Sequence, residues 1–377
     1  MPQIVELTRD ADGVSVIQGG KLKAAILGAT GMVGQQFVRL LKNHPWFEIA
    51  VVAASASSAG KTYRDAARGR WASEFDVPDE VASMEVRDVQ AIDEIAPHVD
   101  VAFCALSLDK ESVRRLEDAY AKRGVWVTSN NSAFRQDPFV PMVIPAVNPH
   151  HLDVVPHQRR ARGYETGAII VKSNCSIQSY VIALEPLREF GVEKITVHSE
   201  QAISGAGKTF ETWPEMSGNV VPLIEGEEKK SETEPLKIWG EANADGIMAS
   251  ALPKIRARCV RVGVAHGHTA YVNVEFKTLP TRAQILERWE RYARSHELPS
   301  APRKLIHYRT EPDRPQPRLD VMTENGMAVT AGQLSVDEEQ NTVSFTALTH
   351  NAILGAAGGA VWATEAAIAR RLVYRRD

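Results

Sequence analysis

A cysteine stands where a short apolar run gives way to a predicted helix, in the segment Ser173-Asn174-Cys175-Ser176. The positive end of a helix stabilises a thiolate, so this position predicts a lowered thiol pKa and a nucleophilic side chain. Cys104 and Cys259 lie inside apolar strands and are interpreted as structural. Because the three cysteines are far apart, they indicate neither a disulfide framework nor a zinc cluster. Nucleophilic catalysis by Cys175 is the leading hypothesis.

Such a nucleophile needs a base. A thiolate that attacks an aldehyde forms a thiohemiacetal, which must lose a proton as hydride leaves to a nicotinamide and a thioester remains. The segment from Arg261 to His268 offers two histidines and an arginine suited to binding carboxylate or phosphate. On one regular strand the side chains of Arg261 and His268 would point to opposite faces of the sheet. They can share a site only if a distortion, such as a bulge at Gly267, lies between them. His266 and His268 could also bind a metal, but no third metal ligand is evident in the sequence nearby. The plainer alternatives are a histidine that is only packed in its strand and a surface ion pair for Arg261.

A glycine-spaced turn predicts a dinucleotide site. Gly28-Ala29-Thr30-Gly31-Met32-Val33-Gly34 lies between a strand and a helix, where glycines permit a tight turn and backbone N–H groups can bind a pyrophosphate. About twenty residues further on, NAD enzymes usually carry an acidic residue that binds the ribose 2′-hydroxyl. This chain instead has Ser55, Ser57, Ser58 and Lys61 there. The pattern favours NADP over NAD, and a serine-rich loop without a special role is the alternative.

Two kinds of scaffold must position these residues. In the first half, short apolar runs alternate with charged helical stretches such as 110–123, which predicts a doubly wound parallel sheet; the runs lie at 22–27, 49–54, 99–106 and 125–128. Beyond residue 150 the pattern changes to a strand at 168–171, a helix at 175–190, a strand at 195–203, and alternating runs typical of antiparallel strands at 260–276, 328–334 and 343–348.

The predicted fold class is therefore α/β, with a Rossmann-type doubly wound parallel sheet and an α+β catalytic domain whose sheet is mostly antiparallel. The stretch 213–238 is expected to be a solvated excursion with a short helix. A glycine-rich helix at 352–372 is expected to return to the first half. The predicted divisions are an extension at 1–20, an NADP-binding domain at 21–172 and 352–377, and a catalytic domain at 173–351.

Composition excludes several classes of protein. A chain of 377 residues is long enough for two cores, and 44% hydrophobic with 24% charged residues is typical of soluble globular proteins. A net charge of -3 predicts no nucleic-acid or lipid surface as a partner. The chain shows no apolar window long enough to span a membrane and no signal-peptide pattern at its start, so we expect a cytoplasmic protein with small-molecule partners.

Several ordered motifs resemble the aspartate-semialdehyde dehydrogenase family, in its archaeal and fungal branch, from about residue 21 to the C-terminus. They are the turn at 28–34, the segment 55–60, Ser129-Asn130-Asn131 with Arg135, Ile144-Pro145 with Val147-Asn148-Pro149, Ser173-Asn174-Cys175, Gln201-Ala202 with Ser204-Gly205-Ala206-Gly207, the segment 226–230, and the segment 261–268. In that branch an arginine often stands where this chain has Ser57.

The resemblance implies a role for each matching residue. Cys175 would be the nucleophile, His268 the acid/base, Gln201 a residue that orients the substrate, and Asn174 a donor to the oxyanion. The substrate-binding residues would be Arg261 for the α-carboxylate, Glu227 for the amino group, Lys230 and Arg135 for phosphate, and Asn131. NADP would be bound by Gly28, Thr30, Gly31, Met32, Val33, Gly34, Ser55, Ser57, Ser58, Ser204, Gly205, Gly207 and Asn351.

The implied reaction is the reversible NADPH-dependent reduction of L-4-aspartyl phosphate to L-aspartate 4-semialdehyde and phosphate. The resemblance also implies a homodimer or homotetramer built through the second domain, which makes 173–351 a catalytic and dimerisation domain. This reaction lies at a branch point to lysine, methionine and threonine. One alternative keeps the chemistry and changes the acyl donor, as in N-acetylglutamyl-phosphate reductase or malonyl-CoA reductase. Another is a dinucleotide-binding paralogue without catalysis, against which the presence of Cys175, Gln201, Arg261 and His268 argues.

Overall fold

The computed structural model describes residues 2–10, 15–72, 76–292 and 298–376. Its first part is a six-stranded, wholly parallel sheet in the order β6-β5-β4-β7-β8-β9. In chain order the strands of this part are β1 Gln3–Ile4, β2 Leu7–Arg9, β3 Ser15–Ile17, β4 Leu22–Leu27, β5 Phe47–Ala54, β6 Arg87–Asp88, β7 Val101–Cys104, β8 Trp126–Ser129 and β9 Ala168–Val171. Its helices are α1 Met32–Leu41, α2 Tyr63–Ala67, α3 Asp79–Ala82, α4 Ile92–Ile95, α5 Lys110–Lys122 and α6 Val155–Arg162.

The second part is a seven-stranded mixed sheet in the order β11-β14-β10-β15-β18-β17-β16, in which only the β10-β14 and β16-β17 pairs are parallel. Its strands are β10 Val192–Ala202, β11 Val220–Val221, β14 Lys254–Val262, β15 His268–Phe276, β16 Ile306–Tyr308, β17 Val329–Asp337 and β18 Thr342–Thr349, with the separate hairpin β12 Glu241–Asn243 and β13 Gly246–Met248. Its helices are α7 Gln178–Leu184, α8 Glu227–Ile238, α9 Arg282–Arg291 and α10 Pro317–Asp320. The predicted fold class is confirmed.

The central strands of the parallel sheet are buried on both faces, because β7, β8 and β9 expose none of their side chains. Such continuous apolar runs are what a sheet covered by helices on both sides requires. The last helix, α11 Gly358–Ala369, follows a π-helical turn at Ile353–Ala357 and packs against β8, so the C-terminal segment returns to the first sheet. The chain ends with β19 Tyr374–Arg375.

Two predicted segments, the extension and the stretch 213–238, can be compared with the structure. Within the predicted extension, the described residues 2–10 and 15–20 contain β1, which pairs with β19, and the buried side chains of Val5 and Ile17, so these residues pack on the first part. The solvated character expected for 213–238 is wrong for α8, because that helix buries Glu234 and Lys237. Both polar groups find partners inside the protein, which is the condition for burying them. No helix among the described residues is long and apolar enough to cross a membrane.

Candidate active site

Three predicted residues meet in one row across neighbouring strands. Gln201, near the end of β10, lies in register with Arg261 of β14 on one side and with His268 of β15 on the other. The connection between β14 and β15 crosses the end of β10, where Ile203 N donates to Val264 O at 2.9 Å. Arg261 and His268 are therefore on different strands, and the expectation that they need a bulge within one strand is wrong.

His268 faces the cysteine. Its Nε2 lies 3.3 Å from Cys175 Sγ, and its Nδ1 accepts a hydrogen bond from Ala202 N at 3.1 Å. Since Nδ1 is an acceptor, the neutral ring carries its proton on Nε2 and donates toward the sulfur. Burial, reinforced by the positive charge of Arg261, lowers the pKa of His268 to about 3. The resting pair is therefore a neutral imidazole that donates to Cys175.

Cys175 lies in the turn that precedes α7, partly open to a cavity and otherwise surrounded by protein. Gly355 of the π-helical turn lies beneath it: a Cβ atom on this glycine would be 2.9 Å from Cys175 Cβ. The expectation of a lowered thiol pKa is wrong in this structure, since burial, with the nearby carboxylate of Glu227, raises the pKa of Cys175 to about 11. Because α7 begins only at Gln178, its positive end is displaced from the sulfur.

The predicted substrate residues line one cavity of about 390 Å³ with Cys175; they are Asn131, Arg135, Asn174, Gln201, Glu227, Lys230 and Arg261. At its floor Glu227 is 5% exposed, accepts from Lys230 Nζ at 2.9 Å and accepts from Asn174 Nδ2 at 2.8 Å. Burial raises the pKa of Glu227, but the Lys230 ammonium and the Asn174 hydrogen bond outweigh it and the net pKa is lowered. Glu227 is therefore a carboxylate, and the Asn174 amide already has an acceptor.

The two arginines at the cavity are held by protein acceptors. Arg261 Nη1 donates to Ala202 O at 2.8 Å, and Arg135 donates to Glu234 at 3.0 Å and to Asn130 O at 2.9 Å. These bonds fix the direction of each guanidinium. Asn131, by contrast, uses its amide to bridge the backbone of Leu106, with its Oδ1 accepting from Leu106 N at 3.0 Å and its Nδ2 donating to Leu106 O at 2.6 Å.

A second cleft, of about 440 Å³, adjoins the turn at the start of α1. A Cβ on Gly28 would lie 2.3 Å from Ala105 O, and one on Gly34 would lie 2.2 Å from Gly28 O, so both positions require glycine. The predicted cofactor residues that line this cleft are Gly28, Thr30, Gly31, Met32, Ser55 and Gly207. The open backbone turn at a helix N-terminus fits a dinucleotide pyrophosphate.

Other predicted cofactor residues lie elsewhere. Val33, Ser204, Gly205 and Asn351 line the cavity of Cys175, and Asn351 Nδ2 donates to Ser204 Oγ at 3.0 Å. Neither Ser57 nor Ser58 lines the cleft, and Lys61 Nζ donates to Ser57 O at 2.8 Å. Further residues that line the cleft were not predicted from the sequence; they lie at 69–70, 105–108, 209 and 212. Of these segments, only 105–108 could have been found from the sequence, because it follows a predicted strand, and ligands bind at the carboxyl edge of such a parallel sheet.

The histidine pair predicted as a possible metal site does not converge. His266 Nδ1 lies 3.1 Å from Ser204 Oγ, and its ring stacks on His350 at 5.2 Å between centroids, whereas His268 points to Cys175. Within the described ranges no group of three or more His, Cys, Asp or Glu side chains is placed to hold a metal ion. Cys104 and Cys259 are buried, in agreement with their structural interpretation.

Comparison with known proteins finds one family along most of the chain. The profile described as semialdehyde dehydrogenase, NAD binding domain, matches residues 23–155, and the one described as semialdehyde dehydrogenase, dimerisation domain, matches residues 184–354. The aspartate-semialdehyde dehydrogenase of Aspergillus fumigatus is 38% identical over 92% of this chain and 97% of its own, and that of Archaeoglobus fulgidus is 37% identical over 94% and 100%. A crystal structure of the Candida albicans enzyme with NADP has a TM-score of 0.80 at 35% identity, covering 94% of this chain and 100% of that one. The Vibrio cholerae enzyme II complexed with ASA has a TM-score of 0.71 at 25% identity, covering 93% and 98%.

Proposed function

The chain belongs to the aspartate-semialdehyde dehydrogenase family and is an NADP-dependent oxidoreductase, and from that premise we propose how its own residues carry the reaction. The reaction is the reversible reduction of L-4-aspartyl phosphate to L-aspartate 4-semialdehyde and phosphate. When bound, the nicotinamide supplies or accepts the hydride. The turn at 28–34 and the adjoining cleft hold the dinucleotide, and the chemistry takes place in the neighbouring cavity.

Cys175 is the nucleophile and carries the acyl group as a thioester. The observation that supports this most is the 3.3 Å approach of His268 Nε2 to Cys175 Sγ inside a cavity that also holds an arginine and a carboxylate. With its proton on Nε2, His268 donates a hydrogen bond that stabilises negative charge first on sulfur and then on the oxygen of the tetrahedral intermediate. Because the ring is already neutral, it assists both directions of the reaction through this hydrogen bond and keeps its Nε2 proton.

The charges of the cavity match an amino acid that bears a phosphate or aldehyde. We assign the α-carboxylate to Arg261, whose guanidinium is held in one direction, and the amino group to Glu227, whose lowered pKa makes it a carboxylate. Lys230, now paired with Glu227, and Arg135 are assigned to phosphate. When the substrate binds, its ammonium group would take the place of the Lys230 ammonium beside Glu227, and Lys230 would be free to bind the phosphate.

This arrangement discriminates against the alternative acyl donors. An N-acylated amine or a coenzyme A ester brings no ammonium group to Glu227. Lys230 would then have to stay beside Glu227 and could not move to the phosphate, because leaving a buried carboxylate without a cation is costly. The same comparisons that show the family favour aspartate semialdehyde as the substrate. Among the substrates tested, those with a free amino group should therefore react faster than those without one.

Two further assignments accompany the activity. We propose a homodimer or homotetramer built through the second domain, which the family description of residues 184–354 as a dimerisation domain supports. We also propose a cytoplasmic location, in keeping with three unpaired cysteines in the described chain.

An assay of the purified protein tests the proposal. With aspartate semialdehyde, phosphate and NADP, the absorbance of NADPH should rise, and replacing NADP by NAD should slow it. Malonyl-CoA with NADPH and N-acetylglutamyl phosphate with NADPH serve as the competing substrates. A protein that is inactive on aspartate semialdehyde but consumes NADPH with malonyl-CoA would overturn the assignment, and inactivity on the whole panel with intact NADPH binding would favour the non-catalytic paralogue.

A further inference from the structure

One buried charged residue near the nucleophile has no part in the scheme above. Lys172 follows β9, is 1% exposed and stands three residues before Cys175. Among the described residues, none provides a hydrogen-bond partner for its Nζ atom. An unpaired buried ammonium is costly, so a lysine in this position needs either to be neutral or to have a nearby anion.

A second buried lysine shows what a purely structural role looks like here. Lys237 Nζ, on α8, donates to the carbonyl oxygens of Arg135, Asp137 and Val140. Lys172 has the same chain length and comparable burial, but it has no such acceptors within the described residues. Packing alone therefore does not account for an amine at the end of this side chain.

The glycine-rich helix places Lys172 beside the nucleophile. A Cβ on Gly355 would be 2.9 Å from Cys175 Cβ, and a Cβ on Gly359 would be 2.2 Å from Lys172 Cε and 3.0 Å from its Nζ. Residues four apart lie on the same face of a helix, about one turn or roughly 6 Å from each other. The two side chains thus rest side by side on this helix.

The other groups that face the sulfur leave room for such a partner. His268 is neutral and donates through Nε2, while Arg261 and Arg135 already bind protein acceptors and are assigned to the substrate's anionic groups. Glu227 is negative and opposes ionisation of the thiol. The pKa of Lys172 is lowered to about 7, chiefly by burial and also by the positive charge of Arg135, while the charges of Cys175 and Glu234 oppose this change. The amine can therefore gain or lose a proton near neutral pH.

We propose that Lys172 is a positioning residue that provides the counter-charge for the Cys175 thiolate. On activation a proton leaves Sγ and a proton is taken up at Nζ, so a thiol and an amine become a thiolate and an ammonium without a change in net buried charge. The inference rests on the proposed role of Cys175 as the nucleophile. It adds a residue that touches neither substrate nor cofactor and acts through the state of the sulfur.

The test is the pH dependence of alkylation of Cys175 by iodoacetamide, read by mass spectrometry of the peptide that contains it. In Lys172→Met, which keeps the length and apolar packing of the side chain, alkylation at pH 7 should slow by about tenfold to a hundredfold, with an unchanged limiting rate at high pH. Lys229→Met, which removes a charge from an exposed position on α8, should behave as wild type. A profile that is the same in Lys172→Met and wild type would overturn the inference, whereas an inert Cys175 in the wild type would overturn the proposed nucleophile itself.

A reciprocal measurement applies if Lys172→Met does not fold. In protein labelled with carbon-13 at lysine Cε, the Lys172 resonance should titrate near neutral pH in the wild type and at lower pH in Cys175→Ser, because coupling between two sites is mutual. Lys237, whose pKa burial lowers to about 8, is the internal reference and should not respond. A Lys172 titration that is unaffected by Cys175→Ser would contradict the proposal.

Discussion

Gly205 offers a way to displace His268, the proposed partner of Cys175, without changing it. A Cβ on Gly205 would lie 2.8 Å from Arg261 Nη1, 2.9 Å from His268 Cε1 and 3.0 Å from His268 Nε2, whereas ordinary contacts begin at 3.4 Å. In Gly205→Ala the ring must therefore move by about half an ångström, against the hydrogen bond from Ala202 N to its Nδ1. Since a misplacement of about 1 Å can cost 10²-fold in rate, we expect kcat to fall by about tenfold to a hundredfold.

Steady-state kinetics with aspartate semialdehyde, phosphate and NADP give the change in kcat, and fluorescence titration gives NADPH affinity separately. The Gly205 backbone has an ordinary φ, so the substitution adds no backbone strain. Ala206→Ser alters the exposed neighbour in the same turn and is the matched control, expected to keep wild-type kcat. A Gly205→Ala enzyme with kcat within a factor of two of wild type would refute the claim that His268 must stay in contact with Cys175.

Three further outcomes follow from the same structure. Cys175→Ser should abolish turnover while NADPH still binds with wild-type affinity, as measured by fluorescence; normal turnover would refute the nucleophile. Arg261→Lys should chiefly raise KM for aspartate semialdehyde, because an ammonium cannot reproduce bidentate recognition, and an unchanged KM would remove Arg261 from the carboxylate site. Burial raises the pKa of Glu117 to about 7, above roughly 4.3 in an unfolded chain, so the folded state holds this proton more tightly. Between those pH values the free energy of unfolding of the wild type should fall as the pH rises, by up to about 3 kcal/mol relative to that of Glu117→Gln. Denaturant unfolding at a series of pH values measures this difference, and parallel pH profiles for the two proteins would contradict it.

Local signals in the sequence were enough to find the turn proposed to bind the cofactor and the cysteine proposed as the nucleophile. Gly28 and Gly34 must be glycine because a Cβ atom at either position would collide with backbone atoms. The strand, the turn and the helix that create this requirement follow one another closely along the chain, so the sequence pattern indicates it. The segment before Cys175 was likewise recognisable as the end of a strand followed by a turn. These features depend on neighbours along the chain, so one sequence suffices to find them.

Features that depend on distant partners were not accessible. Spacing alone could not show that β10 lies between the strands that carry Arg261 and His268, because nothing in residues 260–276 encodes which strand enters between them. The burial of Glu234 and Lys237 on α8 depends on hydrogen-bond partners about 100 residues away in the chain, because Glu234 accepts from the Arg135 guanidinium and Lys237 donates to the Arg135 carbonyl oxygen. The raised pKa of Cys175 likewise reflects tertiary burial rather than the helix that follows it.

Trapping the acyl-enzyme tests the central claim most directly. The enzyme is mixed with aspartate semialdehyde and NADP without phosphate, quenched in acid, digested and analysed by mass spectrometry, and a parallel sample receives phosphate before quenching. The account predicts an aspartyl adduct on the peptide that contains Cys175, formed together with one equivalent of NADPH and discharged by phosphate. An enzyme that turns over under the same assay but carries the adduct on another residue, or forms none at all, would contradict it.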